Sequence, residues 1–238
     1  MIFEKKEKKN ILIFSGAGVS QESGISTFRD SNGLWENHSI EEVATPNGWR
    51  MNRKLVLDFY NVRRRQLKEV EPNQAHILIA KLEEYFNVTV VTQNVDNLHE
   101  RGGSSNVIHL HGELTKVRST LNPSLIYNWD NDLGLEDKCE LGSQLRPHIV
   151  WFGEVLDEKN IELANIATSK ADYCIIIGTS LQVYPANEIP FRVKSECPIY
   201  IIDPNAESLN VASKPNLYCM NQKASEGMEI MFDKLTTN

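Results

Sequence analysis

Five short apolar, β-branched runs punctuate the chain: ILIF at 11–14, VTVVT at 88–92, NVIHL at 106–110, YCIIIG at 173–178 and IYIID at 199–203. Each is bounded by glycine or polar residues. Strands buried on both faces read as continuous apolar runs rather than alternating ones, so these five predict a parallel sheet. Between them lie stretches with apolar residues at helical spacing, such as NQAHILIAKLEEYF at 73–86. Strands alternating with helices predict an α/β fold. Two segments break the rhythm. Residues 36–72 read as helical without a strand, and 115–148, rich in Asn, Asp, Gly and Pro, as a small irregular lobe. There is no internal repeat and no low-complexity tract.

Composition narrows the classes. A chain of 238 residues can bury a real core as one large domain or one domain with insertions. Lys and Arg total 25 against 32 Asp and Glu, a formal charge of −7. A net-negative chain argues against a dedicated nucleic-acid binder, whose footprint is a broad basic face. No apolar run approaches the roughly 20 residues needed to span a bilayer, so no membrane role is expected. The lysines before Ile11 invite comparison with a secretory leader. The apolar stretch that follows ends at Phe14, short of the roughly 7–15 residues of a leader core, and reads as a charged tail entering the first strand. Four cysteines, Cys139, Cys174, Cys197 and Cys219, follow no regular spacing. Reduced thiols and a cytoplasmic location are the expectation.

Chemistry concentrates where strands end. FSGAGVSQESGISTFRD at 14–30 runs from a strand through Gly16, Ala17 and Gly18 into a predicted helix, which turns backbone N–H groups toward a phosphate. The dinucleotide fingerprint G-x-G-x-x-G fails at Gln21, and no acidic residue ends a second strand about 20 positions on, so a plain dehydrogenase is disfavoured. By itself the motif marks only a tight strand–helix turn. TQNVDNLHERGG at 92–103 sets Gln93, Asn94 and Asp96 past a strand, either as ligands for a ribose or carboxamide or as helix caps. VIHLHGEL at 107–114 brings out His109 and His111. No third ligand at a recognisable spacing supports a metal, and a histidine at a strand end before Gly112 suits a general base. IIIGTSLQVYP at 175–185 ends a strand in small hydroxyl donors.

These segments in this order, together with RPHIVWFGE at 146–154, resemble the sirtuins, the NAD-dependent protein lysine deacylases. The resemblance runs from about residue 10 to the C-terminus and is nearest the bacterial members of the desuccinylase-type class. It implies a Rossmann-like parallel sheet with helices on both faces, plus a small domain built from two insertions. The large domain would comprise 1–35, 88–114 and 149–238, and the small one 36–87 and 115–148. NAD would lie between them, touched by Gly16, Ala17, Gly18, Phe28 and Arg29, by Gln93, Asn94 and Asp96, by Gly178, Thr179 and Ser180, and by Asp203, Asn205 and Ala224. His111 and Asn94 would be catalytic. Val150, Trp151, Phe152 and Gly153 would pair with an acylated protein substrate bound as an extended peptide. The acyl-lysine oxygen would displace nicotinamide, His111 would deprotonate a ribose hydroxyl, and 2′-O-acyl-ADP-ribose would leave. The alternative is an ADP-ribosyltransferase or NAD glycohydrolase. The oligomeric state is open, with a monomer favoured.

Two departures and one cluster sharpen the expectation. Sirtuins of ordinary pattern hold a structural zinc with two C-x-x-C pairs. Here Ser119 stands at the first cysteine and only Cys139 remains, so zinc is expected to be absent and the lobe to hold by packing around Leu125, Ile126 and Trp129. Asp203 stands where the family typically has Asn, and still accepts from a ribose hydroxyl. DFYNVRRRQLKEV at 58–70 places Tyr60 and Arg63 on one helix face. In the desuccinylase-type class Tyr-x-x-Arg recognises acidic acyl groups, a guanidinium forking onto a carboxylate. Arg64, Arg65 and Lys68 are expected on the solvated face.

Overall fold

The computed structural model describes residues 7–25, 34–35, 38–212 and 214–237. Its centre is a six-stranded parallel sheet in the order β11-β10-β9-β1-β4-β5. Those strands are β1 (Asn10–Ser15), β4 (Asn87–Thr92), β5 (Val107–His109), β9 (Tyr173–Ile177), β10 (Ile199–Ile202) and β11 (Leu217–Met220). All five apolar runs are strands, as their patterning requires. The sixth, LYCM at 217–220, is short and only half-buried, which hides it from a search for apolar runs.

Helices cover both faces of this sheet. α4 (Gln74–Lys81) and α7 (Ala224–Thr236) pack through Ala75, Ile79, Met228 and Met231 on Ile11, Ile13, Val90 and Ile175. On the other face α6 (Glu158–Lys170) and a 3-10 helix at Ala186–Arg192 meet Leu12, Phe14, Cys174 and Ile176. The strand order reverses at β1. From there the chain runs out one way to β4 and β5, and the other way to β9, β10 and β11. Loops leaving the carboxyl ends on either side of such a point diverge and leave a crevice.

A second sheet replaces the expected irregular lobe. β6 (Gly112–Ser119) pairs antiparallel with both β7 (Ile126–Asn128) and β8 (Leu145–Ile149). The sequence GELTKVRS buries only alternate positions along much of its length, so no continuous apolar run announces it. The lobe's core is Val117, Leu133, Cys139, Leu145 and Ile149, with Trp129 at its edge. Ile126, expected inside, is exposed.

Against this sheet lies α3 (Arg53–Glu69), begun by the Asn52 side chain, which accepts from Leu55 N–H at 3.1 Å. Its inward face carries Val56, Phe59, Tyr60, Arg63, Arg64 and Leu67. The two short strands β2 (Leu34–Trp35) and β3 (His38–Ser39), then α1 (Ile40–Val43) and α2 (Pro46–Met51), precede α3, and α5 (Leu98–Arg101) follows β4. Arg64 corrects the expectation of a solvated residue. It is 2% exposed. Its Nε donates to the Leu114 carbonyl at 2.9 Å and its Nη1 to Asn61 Oδ1 at 2.8 Å, while Asn61 brackets the backbone of Leu133. Buried charge is tolerated where it is hydrogen-bonded, and here it ties α3 to the lobe. Arg65 and Lys68 are exposed as expected, Arg65 pairing with Asp132.

Candidate active site at the carboxyl ends of the parallel strands

Two loops meet back to back above β1 and β9. Gly16 N–H donates to Ile177 O at 3.1 Å and Gly18 N–H to Gly178 O at 2.8 Å. A Cβ on Gly18 would stand 2.7 Å from that carbonyl oxygen, and one on Gly178, at φ +61, would stand 2.2 Å from Val19 N. Contact therefore requires glycine at both positions, and at Gly178 the backbone conformation requires it as well. The helix expected after the glycines is a 3-10 helix over Ala17–Ser23. Thr179 is buried and its Oγ1 accepts from Gln93 Nε2 at 3.0 Å, which joins this cradle to the loop after β4. Ser180 is partly buried beside it.

The loop after β4 is fixed by buried polar contacts. Asn94 N–H donates to Thr92 Oγ1 at 3.0 Å, and its Nδ2 donates to Ser20 Oγ at 3.1 Å. Ser20 donates on to Asp96 Oδ2 at 3.0 Å, and Asp96 Oδ1 accepts from Leu98 N–H. Burial raises the Asp96 pKa against those two hydrogen bonds. Asn94 Oδ1 is left buried with no hydrogen-bond partner among the described residues. An orphaned buried acceptor calls for a donor that the described residues do not supply. Ser20, which the sequence reading did not single out, is the hinge of this network.

His111 lies at the end of β5, partly buried, with Nδ1 3.0 Å from the Gln93 carbonyl. A carbonyl only accepts, so Nδ1 carries the hydrogen and Nε2 keeps its lone pair. Burial lowers the pKa of His111, with the Gln93 bond opposing, so the ring is neutral near pH 7. That is the state a general base needs. His109, two residues earlier, contacts the Asn94 carbonyl instead.

On the lobe side Tyr60 is fully buried and its hydroxyl accepts from Trp151 Nε1 at 3.0 Å. Phe59 meets the Tyr60 ring edge-on and lies under the Arg63 guanidinium, 5.9 Å from ring centre to Cζ. Arg63, 5% exposed, is thus packed inward on the face with Tyr60. Trp151 is held in turn. Arg146 stacks 3.3 Å over its ring and grips Glu154 through two contacts of 2.6 and 3.0 Å. Arg118 adds a third contact to that carboxylate, and Trp151 N–H a fourth. Val150 N–H donates to His111 O and Phe152 N–H to Ala44 O, so this segment is tied to the site by its own backbone. Gly153, at φ +87, faces open space.

The remaining sites are distributed around the crevice. Asp203 is buried just past β10 and accepts from Asn205 N–H at 2.9 Å. Ala224 is buried at the first turn of α7, and the next residue, Ser225, donates its N–H to Glu22 Oε2 at 2.9 Å. Phe28 and Arg29 lie outside the described residues.

The family's zinc position has the wrong donors. Ser119 and Ser143 hydroxyls hydrogen-bond each other at 2.8 Å, and each lies 3.3 Å from Cys139 Sγ. Two neutral hydroxyls and one thiol do not make the thiolate-rich tetrahedron that structural zinc requires. Among the described residues no three of His, Cys, Asp and Glu gather as a metal site. No helix among them is long and apolar enough to cross a membrane, and all four cysteines are free thiols.

Comparison with known proteins agrees with this architecture. A family model described as Sir2 family matches residues 16–185. A Helicobacter pylori protein named NAD-dependent protein deacylase is 52% identical over 227 residues, 95% of this chain and 97% of its own. One of the same name from Bacteroides thetaiotaomicron is 50% identical, covering 93% and 95% of the two chains. Among solved structures, a Sir2 homologue–NAD complex superposes with a TM-score of 0.83 at 36% identity, over 97% of this chain and 91% of that one. A Sir2 structure with a deacetylated p53 peptide and 3′-O-acetyl ADP ribose gives 0.74 at 30%, over 96% and 94%. The family model runs in one continuous stretch through the glycine cradle, the loops after β4 and β5 and the lobe, and the relatives match along nearly the whole chain: the chain belongs to the Sir2 family.

Proposed function

We propose that the protein is an NAD-dependent protein lysine deacylase that removes succinyl and malonyl groups in preference to acetyl, which it also accepts. The observation that carries this reading is His111, held neutral with Nε2 open at the end of β5, beside a loop whose Asn94 offers an unpartnered buried oxygen. The residues present fit NAD: the cradle of Gly16, Gly18 and Gly178 admits no Cβ, and close backbone approach of that kind suits a pyrophosphate. Gly16, Ala17, Gly18, Thr179 and Ser180 would hold the phosphates, Asp203, Asn205 and Ala224 the adenosine end, and Gln93, Asn94 and Asp96 the nicotinamide ribose; Phe28 and Arg29 would complete the first loop. NAD supplies a ribose carbon whose bond to nicotinamide can break. With NAD bound, Asn94 Oδ1 would orient a ribose hydroxyl and His111 Nε2 would take its proton.

The acidic preference is supported by Tyr60 and Arg63 on the inward face of α3, a phenol and a guanidinium that together match a carboxylate. Peptide would lie along 150–153 above the open face of Gly153. Because the N–H groups of Val150 and Phe152 are engaged internally, the peptide would use the carbonyls on that edge. The two-domain division, 1–35, 88–114 and 149–238 against 36–87 and 115–148, belongs to the same proposal except at α4 (Gln74–Lys81), which packs on the large domain's sheet and goes with it. So does a lobe that folds without zinc and a monomer as the working state.

Purified protein incubated with NAD and succinyl-, malonyl- or acetyl-lysine peptides tests this by mass spectrometry. Formation of O-acyl-ADP-ribose is the expected product. Nicotinamide release without any acyl-lysine would favour an NAD glycohydrolase instead. Equal loss of succinyl and acetyl activity in Arg63→Met would remove the acid-pocket assignment.

A further inference from the structure

Both ring nitrogens of His109 face acceptors. Nδ1 lies 3.0 Å from the Asn94 carbonyl oxygen and Nε2 lies 2.7 Å from Glu100 Oε1. A neutral imidazole carries one hydrogen and can satisfy only one of the two. An imidazolium satisfies both. The other solution, a protonated Glu100, runs against its surroundings. Its side chain is 39% exposed and so solvated as a carboxylate. Burial acts to raise its pKa, but the His109 hydrogen bond and charge outweigh that and hold it below the ordinary value.

We propose that His109 and Glu100 form an imidazolium–carboxylate pair at neutral pH, and that His109 is a positioning residue which fixes Asn94 for NAD. The proposal rests on Asn94 belonging to the NAD site. Asn94 is gripped at three atoms: its N–H by Thr92, its Nδ2 by Ser20, and its carbonyl by His109. Those three contacts leave Oδ1 as the one polar atom of the residue without a partner among the described residues. Loss of the Nδ1 hydrogen would put two acceptors face to face at 3.0 Å and push the 93–96 loop out of register, and loss of the Nε2 hydrogen would do the same at 2.7 Å against Glu100 on α5.

The acidic groups around the ring favour its charge, and His99 opposes it. Glu100 and His99 face it from α5, Asp96 from the loop after β4, and Glu113 from β6, while Asn160 of α6 donates to its backbone carbonyl and His111 follows two residues on. Burial, the largest single influence, works to lower the His109 pKa; Glu100, the Asn94 carbonyl and Glu113 together reverse it, and the net shift is upward. A raised pKa means that the cation is lost at higher pH than for an ordinary histidine, as pH rises through that value. NAD affinity should therefore fall on an alkaline limb.

Glu100→Gln separates charge from geometry, because the Gln amide can donate to a neutral His109 Nε2 while Nδ1–H still reaches Asn94. The test uses full-length protein labelled with ¹⁵N at histidine, without NAD, at about pH 7.5. One ring should show both nitrogens protonated; it should be identified by its absence in His109→Gln, and be singly protonated in Glu100→Gln. Calorimetric NAD affinity should fall at least about tenfold toward alkaline pH in the wild type and stay level in Glu100→Gln, with circular dichroism unchanged. A singly protonated His109 in the wild type, or the same alkaline limb in Glu100→Gln, would overturn the proposal. If the wild type binds no NAD at any pH, the NAD-site reading fails, while the ¹⁵N spectrum still decides the charged pair.

Discussion

Substituting Gly18→Ala probes the cradle where two loops touch. The new Cβ would stand 2.7 Å from Gly178 O, 2.8 Å from its Cα and 3.0 Å from its carbonyl carbon, all backbone atoms that no rotamer change can move. Ordinary contact begins near 3.4 Å, so the loops must part by roughly 0.7 Å, stretching the 2.8 Å bond from Gly18 N–H to Gly178 O to about 3.5 Å, too long to count. Overpacking and the lost bond together should cost about 2–3 kcal/mol of stability, a fall in Tm of roughly 4–12 °C for a chain of this size. The larger effect is on NAD, because loops parted by roughly 0.7 Å would lose a charge-assisted hydrogen bond or two to the pyrophosphate, about 2.7 kcal/mol or on the order of 100-fold in Kd. At an NAD concentration of about 100 Kd the wild type gains ~2.7 kcal/mol from binding. For a variant 100-fold weaker the same concentration is one Kd, and the gain is ~0.4 kcal/mol. Thermal melts with and without NAD read this directly. Gly142→Ala is the control: at φ +74 it is strained, but nothing lies within 4 Å, so it should lose stability and keep its NAD-dependent rise. A Gly18→Ala variant with the full NAD-dependent rise would refute the cradle.

Other perturbations follow from the same contacts. Tyr60→Phe strands the Trp151 Nε1–H that now donates to the phenol; it should cost about 1–3 kcal/mol and reduce succinyl more than acetyl turnover, and equal effects on both acyl groups in steady-state kinetics would count against the pocket. Burial lowers the His76 and His148 pKa values to about 4, whereas an unfolded histidine titrates near 6.5; the unfolded chain binds more protons between those values, so Tm should climb as pH rises from about 4 to 6.5, and a flat profile would contradict it. Since the His111 pKa is lowered, kcat/KM should rise with pH through a midpoint below 6.5 and be level at neutrality before the His109 limb begins; a midpoint above 6.5 would exclude His111 as this base. Elemental analysis should find no stoichiometric zinc, and chelator should leave Tm unchanged; about one equivalent of zinc would refute the metal-free lobe.

What could be read from the chain follows from where burial is symmetric. The central strands are apolar on both sides because helices cover both faces, and that leaves an unbroken signature in residues 11–14 or 173–178. The lobe's longest strand, β6, buries alternate residues or every third, and interleaves Thr, Lys and Arg with core positions, so a search for apolar runs passes over it. Arg64 shows a deeper limit. Three adjacent arginines are indistinguishable by composition, and only the lobe's Leu114 and Leu133 backbone decides that the middle one is structural. The glycine cradle and His111 were visible because strand ends carry local rules. The partners of Asn94 and His109 were not, since Ser20, Glu100 and Asn94 converge only in three dimensions.

The position of β1 also constrains how the chain can assemble. Ser15 contacts Thr92, 77 residues along, and Asn10 contacts Asp172, 162 residues along. Contacts closed over such distances make folding slow relative to helical bundles of similar size. During synthesis the first strand can pair with β4 early, yet its other edge has no partner until residue 173 and beyond have emerged. For that interval ILIF presents an open, apolar strand edge, the kind of surface that recruits other chains. Nascent chains halted before β9 should therefore aggregate or engage chaperones, and release of that hazard should coincide with the appearance of Tyr173–Ile177 outside the ribosome.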